Sequence, residues 1–190
     1  MLQPVFMKKY LILYYSKTGN SQFIAEKLAK ELGGDALRLE PVISGIAALF
    51  LLSALNVRVP ILLTKEQISA YDEVIILGPI WGGQLLAPLR SAIRACKKAA
   101  RPFHFAVTCE TSDEEKDSQY GYSQVLRKAR ELGGTWACAT EAFPMPLVDG
   151  YVRPQDATAE KTRVTEANYS TALRKRVKVF AEKIKSGISI

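Results

Sequence analysis

Short apolar runs alternate along this chain with segments whose apolar residues recur at helical spacing, and that alternation limits the fold more than any other feature. The first run, Tyr10–Tyr15 (YLILYY), shows no apolar–polar alternation, as is usual for a strand buried on both faces. It gives way to a polar, glycine-bearing stretch, Ser16-Lys17-Thr18-Gly19-Asn20-Ser21. Phe23, Ile24, Leu28 and Leu32 then recur as one helical face until Gly33-Gly34 stops the helix. Ala36–Leu39 reads as a second strand. Pro41–Thr64 reads as an apolar helix with an irregular return, and Lys65–Ala70 as a helical turn. Glu73–Leu77 is a third strand closed by Gly78-Pro79, and Pro88 is placed to open a helix running to about Ala99. Phe103–Thr108 is a fourth strand, followed by a polar loop through Tyr120 and a helix over Tyr122–Leu132. Thr135–Thr140 is a fifth, followed by the proline-broken stretch Phe143–Pro154. A last helix is expected over Glu160–Lys185, with Leu173, Val177, Phe180 and Ile184 on one side.

Five strands separated by helices imply an α/β fold of three layers, a doubly wound parallel sheet covered on both faces. Such sheets bind ligands beyond the carboxyl ends of their strands, where the winding direction reverses. The informative loops are therefore 16–21, 78–87 and 108–122. A length of 190 residues fits one domain, read as 10–190 behind an N-terminal extension at 1–9, with 41–64 as a divergent apolar segment.

The net charge of +7 favours anions without choosing among a phosphate cofactor, an acidic protein, nucleic acid and an anionic membrane. The densest basic group, Arg174, Lys175, Arg176 and Lys178, reads as a solvated helical face rather than a nucleic-acid patch. Cys96, Cys109 and Cys138 are odd in number and widely spaced, so they form no disulfide framework and no metal-ligand pattern. The apolar run after Lys8-Lys9 is too brief for a secretory signal, and a cytoplasmic location is expected. Between Pro41 and Val57 there is no charge, yet the stretch is short of the ~20 residues a span requires. Ser44, Gly45, Ser53 and Asn56 interrupt it. A buried or partner-covered helix is the expectation, whether as a homodimer contact, an attachment to a larger partner or a wall of a substrate pocket near the sheet edge; monotopic attachment is the alternative, although the segment lacks the basic face of such a helix.

Ser16, Thr18 and Ser21 place hydroxyls around Gly19 just before a helix. Helix starts carry unpaired N–H groups and partial positive charge, which suits a terminal phosphate. The same residue types also make an ordinary N-cap and turn. Neither the nucleoside-triphosphate loop nor the Gly-x-Gly-x-x-Gly of dinucleotide binders is present.

Tyr15-Ser16-Lys17-Thr18-Gly19-Asn20-Ser21 resembles the phosphate-binding loop of the flavodoxin-like proteins. Tyr71 through Gly83, with Gly78-Pro79-Ile80-Trp81-Gly82-Gly83 at its end, is similar to their third strand and flavin-contacting loop, and Pro88-Leu89 falls where their next helix begins. The order of these motifs and their separation of about 60 residues carry the resemblance, which runs from about Leu11 through the last helix. It implies a five-stranded sheet of order 2-1-3-4-5 and noncovalently bound flavin mononucleotide (FMN). It further implies that Ser16, Lys17, Thr18, Gly19, Asn20 and Ser21 surround the phosphate, and that Pro79, Ile80, Trp81 and Gly82 line the ring. Thr108, Cys109, Glu110, Thr111 and Ser112 would flank the ring's polar side. Trp81 suits the role through its wide π face, although a core or interface tryptophan would look the same in sequence.

The loop after strand four departs from the small-residue pattern of the family, reading Thr108-Cys109-Glu110-Thr111-Ser112-Asp113-Glu114-Glu115-Lys116-Asp117. Its acids would weaken flavin binding, exclude anionic substrates or simply be solvated. Tyr120 and Tyr122 either close over the cofactor or pack at the helix start. Cys109 lies among acids that disfavour a thiolate, and His104 sits inside a strand, so neither reads as a catalyst. The implied function is a redox flavoprotein, either an electron carrier or a small-substrate reductase, with a redox partner protein or small acceptor and no nucleic acid. A flavodoxin-fold scaffold without flavin is the alternative.

Overall fold

The computed structural model describes residues 8–154 and 162–187. Five strands, β1 (Tyr10–Tyr14), β2 (Asp35–Arg38), β3 (Glu73–Pro79), β4 (Phe103–Cys109) and β5 (Ala137–Pro144), form one sheet in the order β2-β1-β3-β4-β5. Every ladder is parallel; Ile12 lies opposite Ala36 on one side and Ile75 on the other. The helices are α1 (Asn20–Leu32), α2 (Ile46–Ala54), α3 (Lys65–Ser69), α4 (Ala87–Lys98), α5 (Ser123–Gly133) and α6 (Thr171–Ser186).

The pleat of the central strands sorts their side chains into two cores. Leu11, Leu13, Val74, Ile76, Phe105 and Val107 meet Leu89 and Ile93 of α4 and Val125 of α5 on one face. Ile12, Ile75, Leu77 and Ala106 meet Ile24 and Leu28 of α1 and Val177 and Phe180 of α6 on the other. Both faces are covered, so successive residues of β1 and of Val74–Leu77 in β3 are all apolar, and each large one contributes about 1.5–3 kcal/mol by its burial.

Five boundaries differ most from the sequence expectation. β3 and β4 each run past it, to Pro79 and Cys109, which carries both strands into the loops that follow. Gly134–Trp136 form a 3-10 turn, so β5 begins at Ala137 rather than Thr135; it continues to Pro144, which an edge strand tolerates. The last helix begins at Thr171, where the Ser170 hydroxyl accepts a hydrogen bond from the Leu173 N–H. Of the earlier residues given to it, Thr162–Tyr169 instead run along the surface toward α1, and Glu160 and Lys161 lie outside the described residues.

Segment 41–64 folds back on itself through a bridge between Pro41 and Ile61, with α2 between them. Of the nine residues of α2, only Leu49 and Ser53 are buried, so the chain itself does not supply the burial expected for this helix. No helix among the described residues is long and apolar enough to cross a membrane. Of the N-terminal extension, Lys8 bonds Glu73 and the Lys9 N–H donates to Asp72, while residues 1–7 lie outside the described residues.

Candidate functional site

At the carboxyl ends of β1, β3 and β4 lies a cavity of about 1040 Å³. Its floor comes from three loops singled out in the sequence: Lys17, Thr18, Asn20 and Ser21; Pro79, Ile80, Trp81 and Gly82; and Thr108, Cys109, Glu110 and Thr111. Ser16, Gly19 and Ser112 belong to the same loops without facing the cavity. Ile46, Ala47 and Phe50 of α2, with Gly83, Tyr120, Met145 and Arg163, complete the lining; the sequence places Gly83 in the flavin-contacting loop, offers Tyr120 and the 41–64 segment only as options, and does not single out Met145 or Arg163.

The first loop turns tightly. Gly19 adopts φ +98°, a conformation that costs a residue with a Cβ, and it forms the N-cap of α1 with no side chain capping the helix. The Ser16 hydroxyl accepts from the Gly19 N–H at 3.1 Å, and the Ser21 hydroxyl bonds the Thr108 hydroxyl at 2.7 Å, tying α1 to β4. A helix of thirteen residues thus points an uncapped N-terminus at the cavity, with its partial positive charge.

The Asn20 side chain is used differently from the sequence expectation. Its amide donates to the Thr162 carbonyl at 3.0 Å, and its oxygen accepts from the Val164 N–H at 2.9 Å. It therefore straps a distant segment onto the loop, leaving only its backbone to face an anion. The strap delivers Arg163, whose Nε donates to the Thr18 carbonyl at 2.8 Å and whose guanidinium lies over Gly19. Lys17 and Arg163 are exposed cations on the cavity lining. Nothing in the local sequence at 16–21 signals an arginine some 140 residues away.

On the opposite side, Gly82 and Gly83 adopt φ of +54° and +70°, making a two-residue turn closed by the Gln84 N–H on the Trp81 carbonyl at 3.0 Å. A Cβ on Gly82 would stand 3.1 Å from the Phe50 ring, so the turn and α2 approach closely. Trp81 meets Tyr15 edge-on, with ring centroids 6.0 Å apart, and is only partly buried. It both packs on the core and lines the cavity.

Three acids of the loop after β4 are held by side chains from later in the chain. Tyr151 donates to Glu110, Arg153 pairs with Glu115, and Arg176 of α6 bridges Asp113 and Glu141. Burial raises the Arg176 and Asp113 desolvation costs, yet their mutual hydrogen bond wins: the arginine is raised and the aspartate lowered from their ordinary values. Tyr122 donates to Asp113 and packs at the start of α5, and burial followed by that bond pushes its phenol up to about 12. Tyr120, by contrast, faces the cavity. Thr111 lines the cavity, and its hydroxyl oxygen is buried with no hydrogen-bond partner among the described residues.

Cys109 is 4% exposed, and burial pushes its thiol up to about 11, a larger influence than the neighbouring acids on which the sequence argument relied. His104 lies toward the amino end of β4, away from the cavity; its Nδ1 accepts from the Ala139 N–H and its Nε2 therefore donates to Glu73. Among the described residues, no group of three or more His, Cys, Asp or Glu side chains could hold a metal.

No protein-family model matches the chain, and no curated protein matches its sequence. Among solved structures, a flavodoxin from Streptococcus pneumonia TIGR4 is similar at 12% identity and a TM-score of 0.55, over 95% of this chain and 99% of that one. A flavoprotein in complex with FMN from Lactobacillus acidophilus NCFM is similar at 18% identity and a TM-score of 0.54, over 71% of this chain and 93% of that one. A Fusobacterium nucleatum flavodoxin bound to flavin mononucleotide is similar at 12% identity and a TM-score of 0.50, over 95% of this chain and 98% of that one.

Proposed function

We propose, starting from the flavodoxin-like fold that these likenesses share with this chain, that the cavity binds FMN and that the protein is a cytoplasmic redox flavoprotein. One observation carries this reading: the uncapped N-terminus of α1, turned by Gly19 and flanked by Lys17 and Arg163, opens onto the same cavity as Trp81. The first end suits a phosphate dianion and the second a flat aromatic ring, and the two solved relatives named as FMN complexes share the fold.

The residues present fit the group. Backbone N–H groups of Lys17, Thr18, Asn20 and Ser21 and the hydroxyls of Thr18 and Ser21 would hold the phosphate, with Arg163 supplying charge. Thr111, buried without a partner, offers the hydrogen bond that the pyrimidine edge of the ring would take. Bound flavin supplies one- and two-electron chemistry. The chain's own part is to orient the ring beside Trp81, to exclude water with Phe50 and Tyr120, and to leave one approach open. The buried, protonated Cys109 thiol adds no nucleophile to this site.

Two roles fit such a site, an electron carrier between proteins and a reductase of small acceptors. Purified protein should show flavin absorption bands and release FMN on denaturation. Turnover of a quinone with NADH or NADPH alone marks the reductase, and reduction only through a separate reductase marks the carrier. Colourless protein that takes up no added FMN would overturn the reading in favour of a scaffold.

A further inference from the structure

We propose that the face formed by α2 and the edge of α4 docks on the surface of an anionic lipid bilayer. Residues 41–64 leave Val42, Phe50, Leu51, Leu55 and Leu62 exposed, Leu51 by 59% and Leu55 by 63%. An apolar patch of this kind on a folded domain marks a surface that something covers. The segment just past α2 is tied to α4 by the Arg90 guanidinium, which donates to Asn56. Beyond Asn56, Arg58, Arg94, Lys97 and Lys98 border one shallow depression. All four are exposed, and none makes an ion pair among the described residues. Neither 41–64 nor α4 contains a single acidic residue. The basic rim that segment 41–57 lacks in its own sequence is therefore supplied by Arg58 and by α4, which folding brings beside it.

The chemistry of the patch selects among occupants. A second copy would bring two such cationic rims together on a chain already at +7. A protein partner calls for hydrogen bonds and aromatic or arginine anchors at its centre. Here the polar groups are already engaged: the Ser53 hydroxyl donates to the Leu49 carbonyl and accepts from the Ala87 N–H, and Asn56 accepts from Arg90. Of the exposed apolar residues of 41–64 only Phe50 is aromatic, and its ring lies against Gly82; the remaining aliphatic side chains, bordered by cations, match acyl chains beneath acidic headgroups. Because Ile46 and Phe50 also wall the cavity, docking by this face would set the cavity beside the bilayer.

The docking proposal does not depend on bound flavin and is tested on the full chain by co-sedimentation with vesicles. Vesicles of phosphatidylcholine and phosphatidylglycerol in equal parts should bind the protein, about tenfold more tightly than phosphatidylcholine alone, with the difference fading as salt rises. Leu51→Glu with Leu55→Glu should lower binding to the mixed vesicles at least about tenfold. Lys97→Glu with Lys98→Glu should reduce it to the phosphatidylcholine level. Circular dichroism and thermal unfolding of both variants should match the parent, since all four positions are exposed. Absence of binding to the mixed vesicles, or binding that neither variant changes, would overturn the proposal. A concentration-dependent dimer abolished by Leu51→Glu would overturn it too, by assigning the face to a second copy.

Discussion

The two walls of the cavity are built on opposite principles. The wall formed by loop 16–21 and the end of β4 is polar and cross-tied, with Ser21 bonded to Thr108 and Asn20 to residues 162 and 164. The wall formed by α2 is apolar, contributes no ion pair among the described residues, and shows most of its side chains to solvent. The difference teaches where specificity and access reside. Directional donors around a tight turn can select a phosphate, whereas an aliphatic helix can only exclude water and offer a surface. Affinity for FMN should therefore respond strongly to the first wall and weakly to the second.

Gly19→Val attacks the polar wall at its turn. A β-branched residue at φ +98° carries strain of ~1–3 kcal/mol and crowds Arg163, so FMN affinity in a fluorescence titration should fall about a hundredfold. Arg163→Gln leaves the turn intact and removes only the strap's charge. Its FMN Kd should rise about tenfold, ~1.4 kcal/mol, while riboflavin binding, which lacks the phosphate, stays unchanged. Thr111→Val acts at the other end of the ligand. It should weaken FMN and riboflavin alike by about fivefold, ~1 kcal/mol, and leave unfolding of the ligand-free protein unaffected or slightly improved. Phe50→Ala, on the apolar wall, should change the FMN Kd by less than about threefold; a loss as large as that of Arg163→Gln would break the comparison.

The smallest effect lies outside both walls. Burial pushes the Glu73 carboxyl up, but hydrogen bonds from His104 and Lys8 prevail and hold it below its ordinary 4.5. A carboxylate lowered in the fold stabilises fully above that ordinary value and loses its contribution as pH falls through the lower, folded one. Glu73→Gln should thus reduce the acid sensitivity of thermal unfolding below pH 4.5 without altering FMN affinity.

The fold was legible where local chemistry decides it. The unbroken run at β1, the stop at Gly33-Gly34 and the helix opened near Pro88 all keep their places, because burial on both faces and helix punctuation act within a few residues. Thr135 and Trp136 read as strand from their side chains, yet Gly134 at φ +60° turns the backbone into a 3-10 turn first. Thr162–Tyr169 read as part of the last helix because no side-chain pattern there announces that Asn20 holds Thr162 and Val164. At the cavity, the three loops could be read from glycine, proline and hydroxyl residues at strand ends. Arg163 and Phe50 could not: they arrive through tertiary contacts, one by a strap and the other by the close approach of α2 to Gly82. The acidic loop shows the same limit, since Arg153 and Arg176 pair with Glu115 and Asp113, and Tyr151 bonds Glu110, from far along the chain.

Comparing FMN and riboflavin side by side on the same protein tests the phosphate grip most directly. The two share a ring and differ at the group that Gly19, Arg163 and the start of α1 would hold. Isothermal titration should give FMN an affinity at least about a hundredfold above that of riboflavin, a gap of ~2.7 kcal/mol that narrows in Arg163→Gln. Equal affinity for the two, or none for FMN, would contradict the account.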